Sequence, residues 1–299
     1  MSTNNPSHDF VTTQLAGGLG NQMFQYAFGY AVAMQLNKQL LIDTGLLGSE
    51  FTTTQHTQRE LELQCFGLSL KKSTDEIIKK SENSLLRKIT SRFLPFSNSE
   101  VYHEHENFNI SEIKGEKNIH LKGYWQSEDY FKNYRSDLLK MFSPSENISD
   151  RNNEALSYIH TADTASIHIR RGDYITNRAA NAYHGVCTVE YYTQAAHMLH
   201  EQTGVSQFLI FSDEPEWVEN NISVPYACNH VTWNAAKQAH WDIYLMKHCK
   251  HNIIANSSFS WWGAWLNVHD NKKVIAPRNW FAVEKKLPYP ITPADWQLL

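Results

Sequence analysis

From Ala165 onward, short apolar runs alternate with helical stretches, and this alternation constrains the fold more than any other feature of the chain. Strands are expected at 165–170, 207–212, 229–233, 252–256 and 273–276, with helices at 188–202, 235–250 and 260–267 between them. That order implies right-handed crossovers and a parallel sheet. In the first run, Ala165-Ser166-Ile167-His168-Ile169-Arg170-Arg171-Gly172-Asp173-Tyr174, Ile167 and Ile169 alternate with His168 and Arg170. This is the period-two pattern of a strand with one face in a core. Gly172-Asp173 ends the strand. His168 and Arg170 are therefore expected on one face at its C-terminal end, with Asp173 in the loop beyond. In an open α/β sheet, ligands bind along that edge.

The first half is less regular. Phe10 to Leu15 reads as a strand entering Gly17-Gly18-Leu19-Gly20-Asn21-Gln22, and Met23 to Leu36 as a long apolar helix rich in small residues. Strand, glycine turn and helix together can bring backbone N–H groups up to an anion. The spacing is not that of a dinucleotide fold and lacks the lysine of a P-loop, so Asn21, whose amide can donate into a crevice, is the more informative residue. A strand is expected at 39–43, a loop at 48–58, a surface helix at 75–90 and a strand at 119–125. Ser127, followed by Glu128 and Asp129, is expected to cap a helix over 127–142, and another helix should follow at 146–160. His103-Glu104-His105-Glu106 invites a metal reading, which is set aside because no third ligand set accompanies it. A domain boundary is expected within 145–163, dividing the chain into 1–160 and 161–299, with the last residues able to return to the first domain.

At 299 residues, 41% of them hydrophobic, the chain has ample material for two cores. A formal charge of −4 offers no footprint for nucleic acid. Cys65, Cys187, Cys228 and Cys249 are widely spaced without a C-x-x-C, as suits reduced thiols in a cytoplasmic protein. No apolar run approaches the roughly 20 residues of a membrane span, and Met1 to Asp9 lacks the apolar core of a signal peptide.

Three expected strand ends carry conspicuous polar groups: His168, Arg170 and Asp173; Ser212, Asp213 and Glu214; Asn256, Ser257 and Ser258. On a parallel sheet all three face one crevice. A cation, carboxylates and a serine-lined helix start suit a nucleoside diphosphate. Arg170 and the helix start would meet phosphate, and Asp213 or Glu214 a base or ribose. The chain holds no D-x-D. A diphosphate leaving group would be stabilised by arginine and backbone dipoles, so no metal ligand and no cofactor is expected.

The segments GGLGNQMFQYAFGYA (17–31), GYWQSE (123–128), HIRRGDY (168–174), HGVCTVEYY (184–192), IFSDE (210–214) and IIANSSFSWWGAWL (253–266) resemble the bacterial α-1,2-fucosyltransferases of glycosyltransferase family 11. The resemblance implies an α/β fold of GT-B type, two Rossmann-like domains facing a central cleft, with the donor held mainly by the C-terminal one. It implies metal-independent, inverting transfer of L-fucose from GDP-β-L-fucose to the 2-OH of a terminal galactose, as in O-antigen biosynthesis. An acceptor carried on a lipid would bring the protein to the inner membrane surface. By motif position, Arg170 would contact the donor phosphates and His168 the nucleotide. Asp173 would brace the arginine loop, Asp213 or Glu214 would read the guanine, and Asn256, Ser257 and Ser258 would line the phosphate side.

Asn21 would lie near the reacting centre. The proton of the acceptor hydroxyl has two candidate bases, His184 and Glu128; in a dissociative reaction the departing phosphate takes it instead. Transfer from another GDP-sugar and a catalytically inactive glycan-binding module are the alternatives. Trp261, Trp262 and Trp265 fit core packing better than acceptor stacking.

Overall fold

The structure, a computed structural model, describes residues 9–48, 59–74, 99–115, 118–234 and 236–299. The expected helix at 75–90 and most of the 48–58 loop lie outside the described residues. The chain divides into two compact units: Met1–Gln64, Leu68–Lys140 and Lys286–Pro290 in the first, Cys65–Gly67, Met141–Lys285 and Ile291–Leu299 in the second. The division expected at 160/161 is thus found at 140/141. The helix expected before it, observed at Asp150–Thr161, is bonded into the second unit: Asn152 Nδ2 donates to Asn234 Oδ1 at 2.9 Å and Trp233 Nε1 to Asn152 Oδ1 at 2.8 Å. Of the C-terminal residues, only the stretch 286–290 belongs to the first unit.

The first unit is built on a parallel sheet of order β2-β1-β4-β3, with β1 Phe10–Gln14, β2 Gln39–Asp43, β3 Ser99–His103 and β4 Asn118–Lys122. Helix α1, Leu19–Gln35, packs so closely on β1 that a Cβ on Gly29 would lie 2.9 Å from the Thr13 side chain. The strand β3 escapes the sequence reading because it is a half-exposed edge whose side chains are mostly polar. His103 is its last residue, and among the described residues no three His, Cys, Asp or Glu side chains gather in a way that could hold a metal ion. The helix expected from Ser127 begins instead as two 3-10 turns, Glu128–Tyr130 and Lys132–Tyr134, and becomes α-helical only over α2, Arg135–Met141. Tyr130 and Phe131, at the junction of the two turns, are both buried. Their rings join Phe24, Phe28, Phe108 and Trp125 in an aromatic core, Phe28 lying 4.5 Å from Trp125 and 4.8 Å from Tyr130.

The second unit carries a parallel sheet of order β10-β9-β8-β5-β6-β7. Its strands are β5 Thr164–Ile169, β6 Gln207–Ser212, β7 Ala227–Val231, β8 His251–Ile253, β9 Val274–Ala276 and β10 Gln297–Leu298. The helices are α3 Asp150–Thr161, α4 Gly172–Thr176, α5 Arg178–His184, α6 Val189–Thr203, α7 Pro215–Asn221, α8 His240–His248 and α9 Ser258–Trp265. Two of these, α4 and α5, fill a stretch expected to be loop. All six residues of β5 are buried, so both faces are covered rather than one. This is the ordinary state of a strand inside a parallel sheet. Ile167 and Ile169 enter the core formed with Tyr192 and Leu199 of α6 and Phe208 and Ile210 of β6. His168 takes the other face, its ring 5.3 Å from that of Phe259 in α9. Trp261, Trp262 and Trp265 are core residues of α9, and Trp261 Nε1 donates to the Ile291 carbonyl at 2.8 Å.

Candidate functional site

β8, β5 and β6 are neighbours and all parallel, with Ile167 opposite both Ile210 and Ile253, and Ile169 opposite Ser212. The three polar clusters read from the sequence therefore do share one rim of the sheet, at the C-terminal strand ends. Arg170, the first residue past β5, stands at its centre. Its guanidinium pairs with Asp173 at 2.5 Å and with Asp213 Oδ2 at 3.0 Å, and lies 5.3 Å from the centre of the Tyr174 ring. Asp213 Oδ1 accepts the Arg171 backbone N–H at 2.9 Å. Burial raises the Asp213 carboxyl above the usual range, opposed by Arg170 and by that N–H. Gly172 has φ +21°, and a Cβ there would strike the Asp213 carboxylate. The turn needs glycine because the Asp213 carboxylate packs directly against it.

The acidic pair is therefore engaged within the protein rather than standing free toward a base. Glu214 Oε2 pairs with Arg171 Nε at 2.9 Å, and the Arg171 guanidinium carbon lies 3.4 Å from the centre of the Trp217 ring. His168, only 5% exposed, has a buried Nδ1 with no hydrogen-bond partner among the described residues. Burial, reinforced by Arg170, lowers its pKa to about 3, so the ring is neutral. His184, at the end of α5, stacks on Tyr174 at 4.5 Å with a 5° interplanar angle, and lies 5.8 Å from Phe281. Its pKa is also lowered, chiefly by burial.

Asn256 is held differently from the expectation that it lines a phosphate. Its Nδ2 donates to the carbonyls of His184 (2.8 Å), Gly185 (3.4 Å) and Trp280 (3.3 Å), and its Oδ1 accepts from Cys187 Sγ at 3.6 Å. It fastens the 184–187 loop. Ser257 caps α9, its Oγ accepting the Phe259 N–H at 3.3 Å, and Ser258 is the first helical residue.

In the first unit, Gly17 has φ +75° and leaves no room for a Cβ against Asn21. Asn21 Oδ1 accepts from Gln126 Nε2 at 2.7 Å, and Glu128 is the first residue of its 3-10 turn. The anion anticipated at the start of α1 is the protein's own: Glu62 Oε2 accepts the Leu19 N–H at 3.2 Å. Buried Gln22 secures that strap, donating to the Gly17 and Glu60 carbonyls, each at 2.8 Å, and accepting the Glu62 N–H at 2.9 Å.

Sequence reasoning passed over Asp242. It lies in the first turn of α8, which follows β7, and its Oδ1 accepts from Asn234 Nδ2 at 2.9 Å. Burial pushes its carboxyl up to about 8, partly countered by Asn234. An acid lodged between Trp241 and Ile243 at a helix start was the available signal.

The sequence profile of glycosyl transferase family 11 matches residues 2–296. An α-1,2-colitosyltransferase of Escherichia coli is 35% identical over 96% of this chain and 97% of its own. The O-antigen biosynthesis glycosyltransferase WbnK of Escherichia coli is 33% identical over 91% and 95%. A solved structure of a mutant of Arabidopsis thaliana FUT1 in complex with GDP matches in fold with a TM-score of 0.52, at 11% identity, over 91% of this chain and 71% of that one. The rim of charged groups thus sits on the α/β fold with parallel sheets that the motifs implied, and the chain belongs to glycosyl transferase family 11.

Proposed function

We infer that this glycosyltransferase moves L-fucose from GDP-β-L-fucose to the 2-OH of a terminal β-galactose, forming an α-1,2 linkage. The observation that carries the reading is Arg170, a guanidinium held by two carboxylates at the rim where three parallel strands end. In the free protein this cation is fully engaged. A diphosphate would exchange with one of its carboxylates and receive a two-pronged hydrogen bond where negative charge grows on the leaving group. The Ser257-capped start of α9 supplies backbone N–H groups at the same rim. Neutral His184 is the favoured acceptor of the hydroxyl proton, since a lowered pKa leaves its imidazole unprotonated near neutral pH. Glu128 is the second candidate, and Asn21 is assigned to orienting the reacting sugar.

Because Asp213 and Glu214 are tied to the arginines, base reading passes to Asp242. The guanine edge offers two adjacent N–H donors, which favour an ionised carboxylate. The sign follows: below a pKa of about 8 the free protein carries the proton and binding must release it. GDP affinity is expected to rise with pH up to that value and level off above it, with the slope reduced in Asp242→Asn. Titrations of both proteins with GDP across this range check it. An identical slope in the two would return base reading to another group.

A second donor is favoured by the 35% identity to the colitosyltransferase. A panel of GDP-fucose and other activated deoxysugars with galactose-terminated acceptors, followed by linkage analysis, separates the two readings. Transfer is also expected to persist in excess EDTA, given the absence of a D-x-D and an arginine-centred site. A rate cut below about a tenth and restored by Mg²⁺ or Mn²⁺ would show that a metal carries the diphosphate charge instead.

A further inference from the structure

We propose that Arg171, Glu214 and Trp217 form a positioning clamp that holds Arg170 at the diphosphate, with Arg171 itself touching no substrate. The two arginines are consecutive but have separate partners. Arg170 shares the parity of His168, while Arg171 shares that of Ile167 and Ile169, whose core includes Trp217 among its flanking residues. On that side the Arg171 guanidinium lies over the indole at 3.4 Å, and its Nε bonds Glu214 at 2.9 Å. Its side chain is only 16% exposed. A planar cation fixed by a ring face and a carboxylate at once is among the better-defined placements open to an arginine.

The path from clamp to Arg170 is short. The Arg171 backbone N–H bonds Asp213 Oδ1, and the other oxygen of that carboxylate holds Arg170 Nη1. Asp213 and Glu214 follow directly on β6, whose last residue lies opposite Ile169. Two adjacent acids on one strand end therefore grip two adjacent arginines on the next. Trp217, in the first turn of the helix that Pro215 begins, ties the pair to the core. Loosening the clamp leaves the charge of Arg170 in place while widening the range of positions its fork samples. Transition-state stabilisation depends on that geometry more than simple binding does.

The inference rests on Arg170 as the diphosphate contact, and the experiment separates the two. Kinetics with GDP-fucose and calorimetric binding of GDP are measured for Arg170→Lys, Arg171→Lys, Trp217→Leu, Trp217→Phe and the Arg170→Lys/Arg171→Lys double variant, with thermal melting as a folding control. The clamp predicts that Arg171→Lys and Trp217→Leu each lose about tenfold in kcat while GDP affinity changes by under about threefold. Trp217→Phe, which keeps a ring face, should recover most of the rate. The double variant should be no slower than Arg170→Lys alone, because the clamp acts only through that residue. Multiplying losses would mean that Arg171 meets the donor directly, and full activity in Arg171→Lys and Trp217→Leu would mean that the clamp positions nothing. Either result overturns the proposal while leaving Arg170 in place. A wild-type rate in Arg170→Lys would instead remove the reading beneath it.

Discussion

Replacing Arg170 by lysine is expected to lower kcat for sugar transfer by about a hundredfold or more, comparable with removing one donor from an oxyanion site. Lysine keeps the charge but not the fork. In the structure two ends of one guanidinium reach Asp173 and Asp213 together, and a single ammonium cannot reproduce that span. The KM for GDP-fucose should rise less than kcat falls, because the lost bond is strongest where charge has accumulated on the departing diphosphate. Arg171→Lys should be about tenfold milder than Arg170→Lys, since its contacts run to Glu214 and Trp217. Steady-state kinetics on both variants, with circular dichroism as the folding control, decide the matter. An active Arg170→Lys beside a dead Arg171→Lys would move the diphosphate contact to the second arginine.

What the sequence disclosed and what it hid follow from the range of the interactions involved. The strand at Ala165 was legible because its Ile/His/Ile/Arg alternation is local, and the shared rim followed from strand–helix order alone. The burial of both faces of β5 was not, since it depends on α6 and α9 covering a strand from opposite sides. The partners that Asp213, Glu214 and Asn256 find within the protein were illegible for one reason. Each was seen as an exposed polar group at a strand end, whereas its partner lies dozens of residues away: Asp213 and Glu214 on the arginines, Asn256 on the 184–185 carbonyls. The edge strand β3 was missed because a half-exposed strand bears a weak apolar pattern. Asp242 went unnoticed because its burial depends on Asn234 and the packing of α8, which its place between Trp241 and Ile243 signals only weakly.

Asn256 gives the sharpest contrast between these two readings of a polar residue. As a phosphate contact, its removal should cost GDP affinity and spare stability. As the fastening of the 184–187 loop, its removal strands the buried Trp280 carbonyl and leaves the His184, Gly185 and Cys187 groups with poorer partners. Asn256→Ala is therefore expected to destabilise the protein by about 2–3 kcal/mol. For a unit of this size that lowers Tm by roughly 5–10 °C. Asn256→Asp tests the amide donor directly. An ionised carboxylate offers no hydrogen to the three carbonyls and repels their oxygens, so this variant should be at least as unstable as alanine near neutral pH. Its native carboxyl would be raised above the unfolded value and hold a proton that the unfolded chain has given up. Its stability should consequently fall as pH rises from about 5 toward 7. Thermal melts of the three proteins across this range, with GDP titrations alongside, give the answer. Wild-type melting together with lost GDP affinity in Asn256→Ala would restore the phosphate role. A melting loss that is deeper at higher pH in Asn256→Asp identifies the amide as the lock that carries His184 to the rim.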